Sequence, residues 1–529
     1  MSAATDASSP LAWWQTGVVY QVYPRSFADS NGDGVGDLPG VVAHLDHLAW
    51  LGVDAIWLSP IMRSPMRDYG YDVADYRDVD PLFGSLADAD RLIEEAHARG
   101  MRVLLDFVPN HTSSDHQWFI DARSSGQSAH RDWYVWRDPA PGGGPPNAMQ
   151  SQFRGPAWTL DERTGQYWYH SFLPDQPDLD WRNPAVRDAM FDVMRFWFAR
   201  GIDGFRVDVL WMIAKDDWPW RDDPIGHGPG SLGGDPTGAL QHGDGPEMEH
   251  RLRELRDVAD EFPERVLVGE VYMEPRRLVR YYGTDGRGAH LPFNFALVTE
   301  PWNSRAIGAA IAAYEAALPA NSWPNWVLGN HDQPRVATRL GAAQARVAAM
   351  LLLTLRGTPT LYYGDELGLP DAVVPATRVV DVAGRDPERT PMPWSVDRPN
   401  AGFSTVDAWL PLVDDAEDRS VDAQRDDPGS MLSLHRRLLA LRRSSPALHA
   451  GTWTPLAPGA GQPDGLVAFE RSHGTERVRV LLNLTHDGLD VALPGSWTVA
   501  VGTEPARGGG TVTERVRLAG DEGLVLRPG

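Results

Sequence analysis

Short apolar or β-branched runs alternate with amphipathic helical patterns from about residue 17 to residue 445 of the chain. Eight of the runs are predicted strands, and they lie at residues 18–23, 55–59, 102–108, 204–209, 266–271, 291–295, 326–329 and 359–363. The alternation predicts parallel strands joined by crossover helices. Eight such units favour an α/β fold of the (β/α)8 TIM barrel type over an open doubly wound sheet.

Two of the predicted helices have recognisable ends. An apolar stripe begins after Asp37 and stops at Gly52. A second stripe begins with Asn183 and Pro184 and stops at Gly201. Asn as a cap, Pro in the first turn and Gly after the last turn are typical of helix boundaries, so each stripe predicts one helix.

Two long segments interrupt the alternation. Residues 110–175, after the third strand, are rich in Gly, Pro, Trp and Tyr and predict a small subdomain, and residues 216–247 form a second insertion. From Pro446 onward, short strands separated by turns predict an antiparallel β domain. The predicted units are a barrel of residues 1–109 and 176–445, an inserted subdomain of residues 110–175, and a β-sandwich-like domain of residues 446–529.

Composition and charge narrow the possible functions. The 529 residues include 49 basic and 72 acidic side chains, a net charge of −23, and no cysteine. A disulfide scaffold, a cysteine-ligated zinc site and a cysteine nucleophile are excluded, and the acidic balance argues against a nucleic-acid partner. Residues 1–10 do not resemble a secretion signal, and the longest apolar stretch, residues 347–355, is too short to span a bilayer. We therefore expect a cytoplasmic monomer or homodimer without a membrane partner.

Carboxylates follow three of the predicted strands, at the barrel end where active sites assemble. Arg206 and Asp208 share one face of a strand, so the guanidinium is expected to keep Asp208 ionised. Glu270 ends an apolar strand, which is expected to raise its pKa, and Asp332 stands beside His331. An ionised carboxylate, a protonated carboxyl and a positioning acid are the groups that glycoside hydrolysis uses. We therefore favour a catalytic site over the alternative that each acid only caps a strand or pairs with an arginine on the surface.

Several segments also carry a family resemblance. Residues 106–111 (DFVPNH), 204–209 (GFRVDV), 269–271 (GEV) and 330–332 (NHD) look like the ordered signature segments of the α-amylase superfamily, glycoside hydrolase family 13. Residues 176–181 (QPDLDW) resemble the extra segment of its oligo-1,6-glucosidase and α-glucosidase branch, where the last acid is more often Asn. The resemblance covers the barrel from Gly17 to about Arg443.

The resemblance implies the roles of the catalytic residues. Asp208 would be the nucleophile, Glu270 the general acid/base, and Asp332 the acid that holds the sugar ring. The further residues that would hydrogen-bond the sugar and the nucleophile are His111, Arg206 and His331. The implied reaction forms a covalent glucosyl-enzyme and retains the anomeric configuration.

The resemblance also implies a closed pocket for a small oligosaccharide or disaccharide. Asp68 would pair with Arg389, with Arg385 as the less favoured partner, behind the non-reducing glucose, so that the enzyme acts from the chain end. The candidate pocket walls are Tyr71, Phe153 and Phe172. Val209 resembles branch members that favour α-1,6 bonds over α-1,4 bonds. A transglucosylase or a sucrose or trehalose isomerase on the same scaffold is the alternative, and a non-catalytic sugar-binding homologue is disfavoured because all three acids are present.

An oxygen-rich loop predicts a metal ion. Its side-chain donors alternate around glycines, with the Val35 carbonyl as a further ligand, and the proposed ligands are Asp29, Asn31, Asp33, Val35 and Asp37. Hard oxygen donors suit Ca²⁺. The family often carries calcium or magnesium in this loop, so we expect a structural ion rather than an empty Asx-turn loop. No organic cofactor is expected.

Overall fold

Eight parallel strands form the central sheet of the computed structural model, which describes residues 11–215, 218, 220, 246–456 and 463–529. The strands are β1 (Val19–Val22), β2 (Ala55–Leu58), β3 (Arg102–Phe107), β4 (Gly204–Val207), β5 (Val266–Gly269), β6 (Leu291–Pro292), β7 (Asn325–Val327) and β8 (Thr358–Tyr362). Their order is β6-β5-β4-β3-β2-β1-β8-β7. A parallel bridge between Asn294 and Trp326 joins the two outer strands of this order, so the sheet comes round on itself. The predicted (β/α)8 barrel is confirmed.

Helices surround the sheet in the order that the sequence pattern predicts. The longer ones span Leu38–Ala43, Leu45–Leu51, Leu86–Ala98, Pro184–Arg200, Pro246–Asp260, Ser304–Ala317, Val336–Thr354 and Met431–Ser444. The Asn183 side chain accepts a hydrogen bond from the Ala185 amide, and Gly201 ends that helix with a φ of 107°. The single helix predicted after Asp37 is instead two helices, because the backbone of His44 leaves the helical region at φ −112° and ψ 8°.

One described helix, Val336–Thr354, is long and apolar enough by composition to cross a membrane. In its most apolar window 61% of the residues are buried inside the protein. Its side chains from Val347 to Leu353 all lie in the core. The apolar character of this helix is therefore accounted for by packing between the barrel and the C-terminal sheet.

Three antiparallel sheets lie outside the barrel strands in the described part of the chain, and the smallest of them pairs Met62–Arg63 with Asp75–Val79. Within residues 110–175, the strands Trp136–Arg137, Trp158–Asp161 and Gln166–Tyr169 form a three-stranded sheet. The C-terminal sheet has six strands, Thr452–Pro455, Leu466–His473, Glu476–Asn483, Leu489–Gly502, Thr511–Leu518 and Gly523–Pro528. Most of the predicted insertion at residues 216–247 lies outside the described residues.

Candidate active site

The acids predicted from the sequence meet in one pocket at the carboxyl end of the barrel. Asp208 directly follows β4 and Glu270 directly follows β5, while Asp332 comes after β7. The pocket is lined by Asp68, Tyr71, His111, Phe153, Phe172, Asp208, Val209, Glu270, His331, Asp332 and Arg385. Of the residues predicted to bind sugar or act in catalysis, Arg206 and Arg389 lie behind this lining and contact it.

Arg206 holds three buried carboxyl groups. Its Nη1 atom lies 2.7 Å from Asp106 Oδ1 and 2.7 Å from Asp208 Oδ1, and its Nη2 atom lies 2.7 Å from Glu270 Oε2. Burial raises the pKa of Glu270 to about 7, as the sequence predicted, against the opposing effect of Arg206. Burial also raises the pKa of Asp208, with Arg206 opposing the shift and Glu270 and Asp106 adding to it. Because one cation is shared among three acids, the Arg206 guanidinium cannot offset the burial of all of them, and Glu270 keeps its proton up to about pH 7.

A strained turn links the first two catalytic acids. Val209 follows Asp208 with a φ of 35°, in the left-handed region that a β-branched residue rarely adopts. In this conformation the Val209 amide donates a 2.8 Å hydrogen bond to Glu270 Oε2. The strain is therefore located where the orientation of Glu270 relative to the nucleophile is set.

Asp332 is surrounded by donors. Arg385 Nη1 lies 3.0 Å and Arg389 Nη2 lies 2.9 Å from its Oδ1 atom, and His331 Nε2 lies 3.2 Å from Oδ2. Although burial alone raises the pKa of Asp332, His331 and the two guanidinium groups hold it well below its usual value. The Gln21 amide lies 2.8 Å from His331 Nδ1. A proton on Nε2 would let the neutral imidazole accept from Gln21 and donate to Asp332, which stays ionised.

The predicted pair between Asp68 and Arg389 is wrong. Arg385 Nη2 lies 2.6 Å from Asp68 Oδ1, whereas Arg389 donates to the His331 carbonyl at 2.7 Å and to Asp332. The two arginines are four residues apart, at either end of a short 3-10 turn, so both reach the pocket. Asp381 decides between them because it binds Arg385 at 2.7 Å and aims its guanidinium at Asp68.

Aromatic rings form the walls around these charges. Tyr71 stacks on His331 with ring centroids 5.1 Å apart and planes 2° apart, and its hydroxyl donates to Asp106 Oδ2 at 3.0 Å. The ring centroid of Phe172 lies 5.1 Å from that of His111, and the ring centroid of Phe153 lies 5.5 Å from that of Phe172. Flat apolar surfaces next to hydrogen-bonding groups suit the two faces of a sugar ring.

Gln176 lies behind the pocket lining and contacts two of its residues, although the sequence pattern does not single it out. Its amide nitrogen lies 2.9 Å from Asp68 Oδ2 and 3.2 Å from His111 Nε2, and the side chain is fully buried. The sequence signal for this residue is its position at the start of the family-like segment of residues 176–181.

The predicted metal loop is compact. Asp29 accepts hydrogen bonds from three loop amides at 2.7 to 3.1 Å and from the Ser404 hydroxyl at 2.6 Å, while Asp37 caps the following helix. Asn31 and Asp33 are exposed. Among the described residues no three acidic or histidine side chains are grouped to hold an ion by themselves, so an ion here would also need the Asn31 side chain and the Val35 carbonyl.

Comparison with known proteins places this site in a family. The model of the α-amylase catalytic domain matches residues 21–451. A probable α-glucosidase from Rhizobium meliloti (strain 1021) is 40% identical over 528 residues, 95% of this chain and 94% of that protein. The oligo-1,6-glucosidase of Parageobacillus thermoglucosidasius is 35% identical, over 89% of this chain and 90% of that protein.

A solved structure shares the architecture of this chain over nearly its whole length. The crystal structure of the α-glucosyl transfer enzyme XgtA matches with a TM-score of 0.91 at 39% identity, over 98% of this chain and all of that one. Family model, full-length relatives and shared architecture concur. The chain belongs to the α-amylase family and is a glycoside hydrolase of the α-glucosidase and oligo-1,6-glucosidase type.

Proposed function

We propose that the protein is a retaining, exo-acting α-glucosidase that releases glucose from the non-reducing end of short α-glucosides. The observation that carries the proposal is the ion-pair cluster at the pocket wall, where Arg385 binds Asp68 at 2.6 Å and Asp332 at 3.0 Å. A buried cluster of this kind closes the space behind one sugar ring. A polysaccharide chain cannot pass through such a wall, so only a chain end enters.

The proposed reaction uses the two acids on Arg206 in sequence. Asp208 attacks the anomeric carbon while Glu270 gives its proton to the glycosidic oxygen, and a β-glucosyl ester forms on Asp208. Glu270 then takes a proton from a water molecule, which attacks the ester from the face that the leaving group vacated. Two displacements restore the α configuration. Asp332, held ionised by its arginines, supports the positive charge that develops on the sugar ring.

A product profile tests the proposed chain-end specificity. We expect glucose to be released from isomaltose and maltose at least about 100-fold faster than from starch, because the closed pocket excludes internal bonds. Val209 in the lining favours isomaltose over maltose by a modest factor, since one side chain in a pocket contributes only about 1 to 3 kcal/mol to discrimination. Sucrose and trehalose complete the substrate set.

Analysis of the products by NMR and chromatography would reveal either of two results that contradict the proposal. Starch cleaved internally to oligosaccharides at a comparable rate would show that the pocket is open. β-Glucose as the first product would rule out the double displacement.

Glucosyl transfer is the second candidate function, and the similarity to a structure described as an α-glucosyl transfer enzyme favours it. Transfer and hydrolysis share the glucosyl-enzyme and differ in whether a sugar hydroxyl or water attacks it. The ratio of free glucose to transfer product, measured as the acceptor concentration rises, separates the two.

We also propose a structural calcium or magnesium ion in the loop of residues 29–37, supported by its set of hard oxygen donors. Excess EDTA is expected to lower Tm by a few degrees, and added Ca²⁺ to restore it, because an ion that binds only the folded state stabilises it. An Asp33→Ala variant should already have the lower Tm and respond little to EDTA. A wild-type Tm that EDTA leaves unchanged, together with no stoichiometric ion by elemental analysis, would contradict the proposal.

A further inference from the structure

Lys215 is the only lysine in a chain with 49 basic residues. Its side chain is 4% exposed. The ammonium nitrogen lies 2.8 Å from Asp178 Oδ2, 2.6 Å from Asn110 Oδ1 and 3.0 Å from the Met212 carbonyl oxygen. All three of its donors therefore have an acceptor.

The three acceptors belong to three different segments around the pocket. Asn110 precedes the pocket residue His111 in the loop after β3, and its amide nitrogen lies 3.2 Å from His111 Nδ1 and 3.0 Å from Asp178 Oδ2. Asp178 pairs through its backbone with His111 in an isolated bridge. The ammonium group of Lys215 thus contacts Asn110 and Asp178, the two residues that hold His111 in place.

Met212 brings the third segment, which carries the nucleophile. The chain leaves β4 through Asp208 and the strained Val209, and a 3-10 turn of Leu210–Met212 follows. The Met212 amide donates to the Val209 carbonyl at 2.8 Å, and its own carbonyl accepts from Lys215. The contact at Met212 therefore ties the end of the nucleophile turn to the loop that holds His111.

The other 48 basic residues of the chain are arginines. The geometry around residue 215 explains why a lysine is found there instead. Three acceptors converge within 3.0 Å on one atom. An ammonium group is compact and presents three donors from a single nitrogen, whereas a guanidinium spreads its donors over a plane and needs more room. In a site this buried, the larger group would displace at least one of the three segments.

We propose that Lys215 is a positioning residue that holds His111 and the nucleophile turn after β4 in register with each other. The inference rests on the proposed α-glucosidase function. Lys215 itself lies outside the pocket lining and acts through Asn110, Asp178 and Met212. Misplacement of a reacting group by about 1 Å costs on the order of 100-fold in rate, so the predicted effect is on kinetics and not only on stability.

The test compares Lys215→Met with a matched control, Arg442→Met. Arg442 is also buried, with 1% exposure, and donates to the backbone carbonyls of Leu353, Leu355 and Gly357 at the end of the helix Val336–Thr354. Both variants are expected to lower Tm. Near-UV circular dichroism at 25 °C checks that each variant is folded. Under these conditions only Lys215→Met is expected to lose activity, with kcat/KM on p-nitrophenyl α-glucoside about 10- to 100-fold lower and kcat lowered as well.

Separate outcomes decide the positioning role and the proposed function. A folded Lys215→Met enzyme with wild-type kcat and KM at a lowered Tm, like the control, would overturn the positioning role. A wild-type enzyme that releases no glucose from any α-glucoside would overturn the proposed function instead. If Lys215→Met does not fold, the double variant Lys215→Met/Asp178→Asn removes the unpaired buried carboxylate and carries the same kinetic test.

Discussion

Replacing Asp208 by Asn is expected to lower kcat by about 10⁴-fold or more, because the variant keeps the shape of the side chain but removes the nucleophile. Asp208 lies in the pocket, 2.7 Å from the guanidinium of Arg206. An amide oxygen is a far weaker nucleophile than a carboxylate, so the glucosyl ester does not form at a useful rate. Steady-state kinetics on p-nitrophenyl α-glucoside measure the loss.

Asp203→Asn is the matched control for this experiment. Asp203 immediately precedes β4, at the opposite end of the strand from Asp208, and is also buried, with His97 at 2.7 Å and Arg102 at 2.9 Å. We expect this variant to lose stability and retain kcat. Azide added to an Asp208→Gly variant should produce β-glucosyl azide, since the small anion attacks from the face that the carboxylate vacated. Near-normal turnover by Asp208→Asn would show that another group is the nucleophile.

The barrel could be predicted from the sequence because its strands are buried on both faces. A continuous apolar run such as Val266–Gly269 has little ambiguity when helical patterns flank it. The C-terminal sheet was harder to predict. Thr511–Leu518 carries Glu514, Arg515 and Arg517 and is mostly exposed, so it lacks the apolar signal of a strand. Its pairing with the long strand Leu489–Gly502 is a tertiary property.

The catalytic acids could be predicted for a related reason. Asp208, Glu270 and Asp332 follow strands, and strand ends converge in a barrel. Pairings between distant loops could not be predicted in this way. The choice of Arg385 over Arg389 for Asp68 depends on the contact with Asp381. The pKa of Asp208 depends not only on Arg206 but also on Asp106 and Glu270, which share the Arg206 guanidinium.

Histidine burial shows the same limit. His47 lies in the helix Leu45–Leu51, and nothing in the local sequence distinguishes it from a solvent-exposed histidine. Its side chain is 6% exposed, the centroid of its ring lies 5.3 Å from that of Trp394, and burial lowers its pKa to about 3. Trp394 comes from a segment about 350 residues further along the chain. No local pattern could have placed it there.

Replacing Glu270 by Gln is expected to lower kcat/KM on maltose by about 10² to 10⁴-fold, because the amide has no acidic proton to transfer to the leaving group. Burial raises the pKa of Glu270 to about 7. A raised pKa keeps the carboxyl protonated up to that pH, so wild-type kcat/KM should fall as the pH rises above about 7. The variant should lose this alkaline limb. An aryl glucoside with an acidic leaving group should be affected less in the first step, since its departure needs little protonation.

Glu366→Gln tests whether that pH dependence belongs to Glu270. Glu366 is fully buried after β8, accepts a 2.7 Å hydrogen bond from the Tyr20 hydroxyl, and has a pKa that burial likewise raises to about 7. We expect its variant to keep the wild-type pH profile and kcat. Azide added to Glu270→Gln should give α-glucosyl azide, because azide attacks the glucosyl ester on the face opposite Asp208. An unchanged alkaline limb in Glu270→Gln, or its loss in Glu366→Gln, would assign the proton to a different acid.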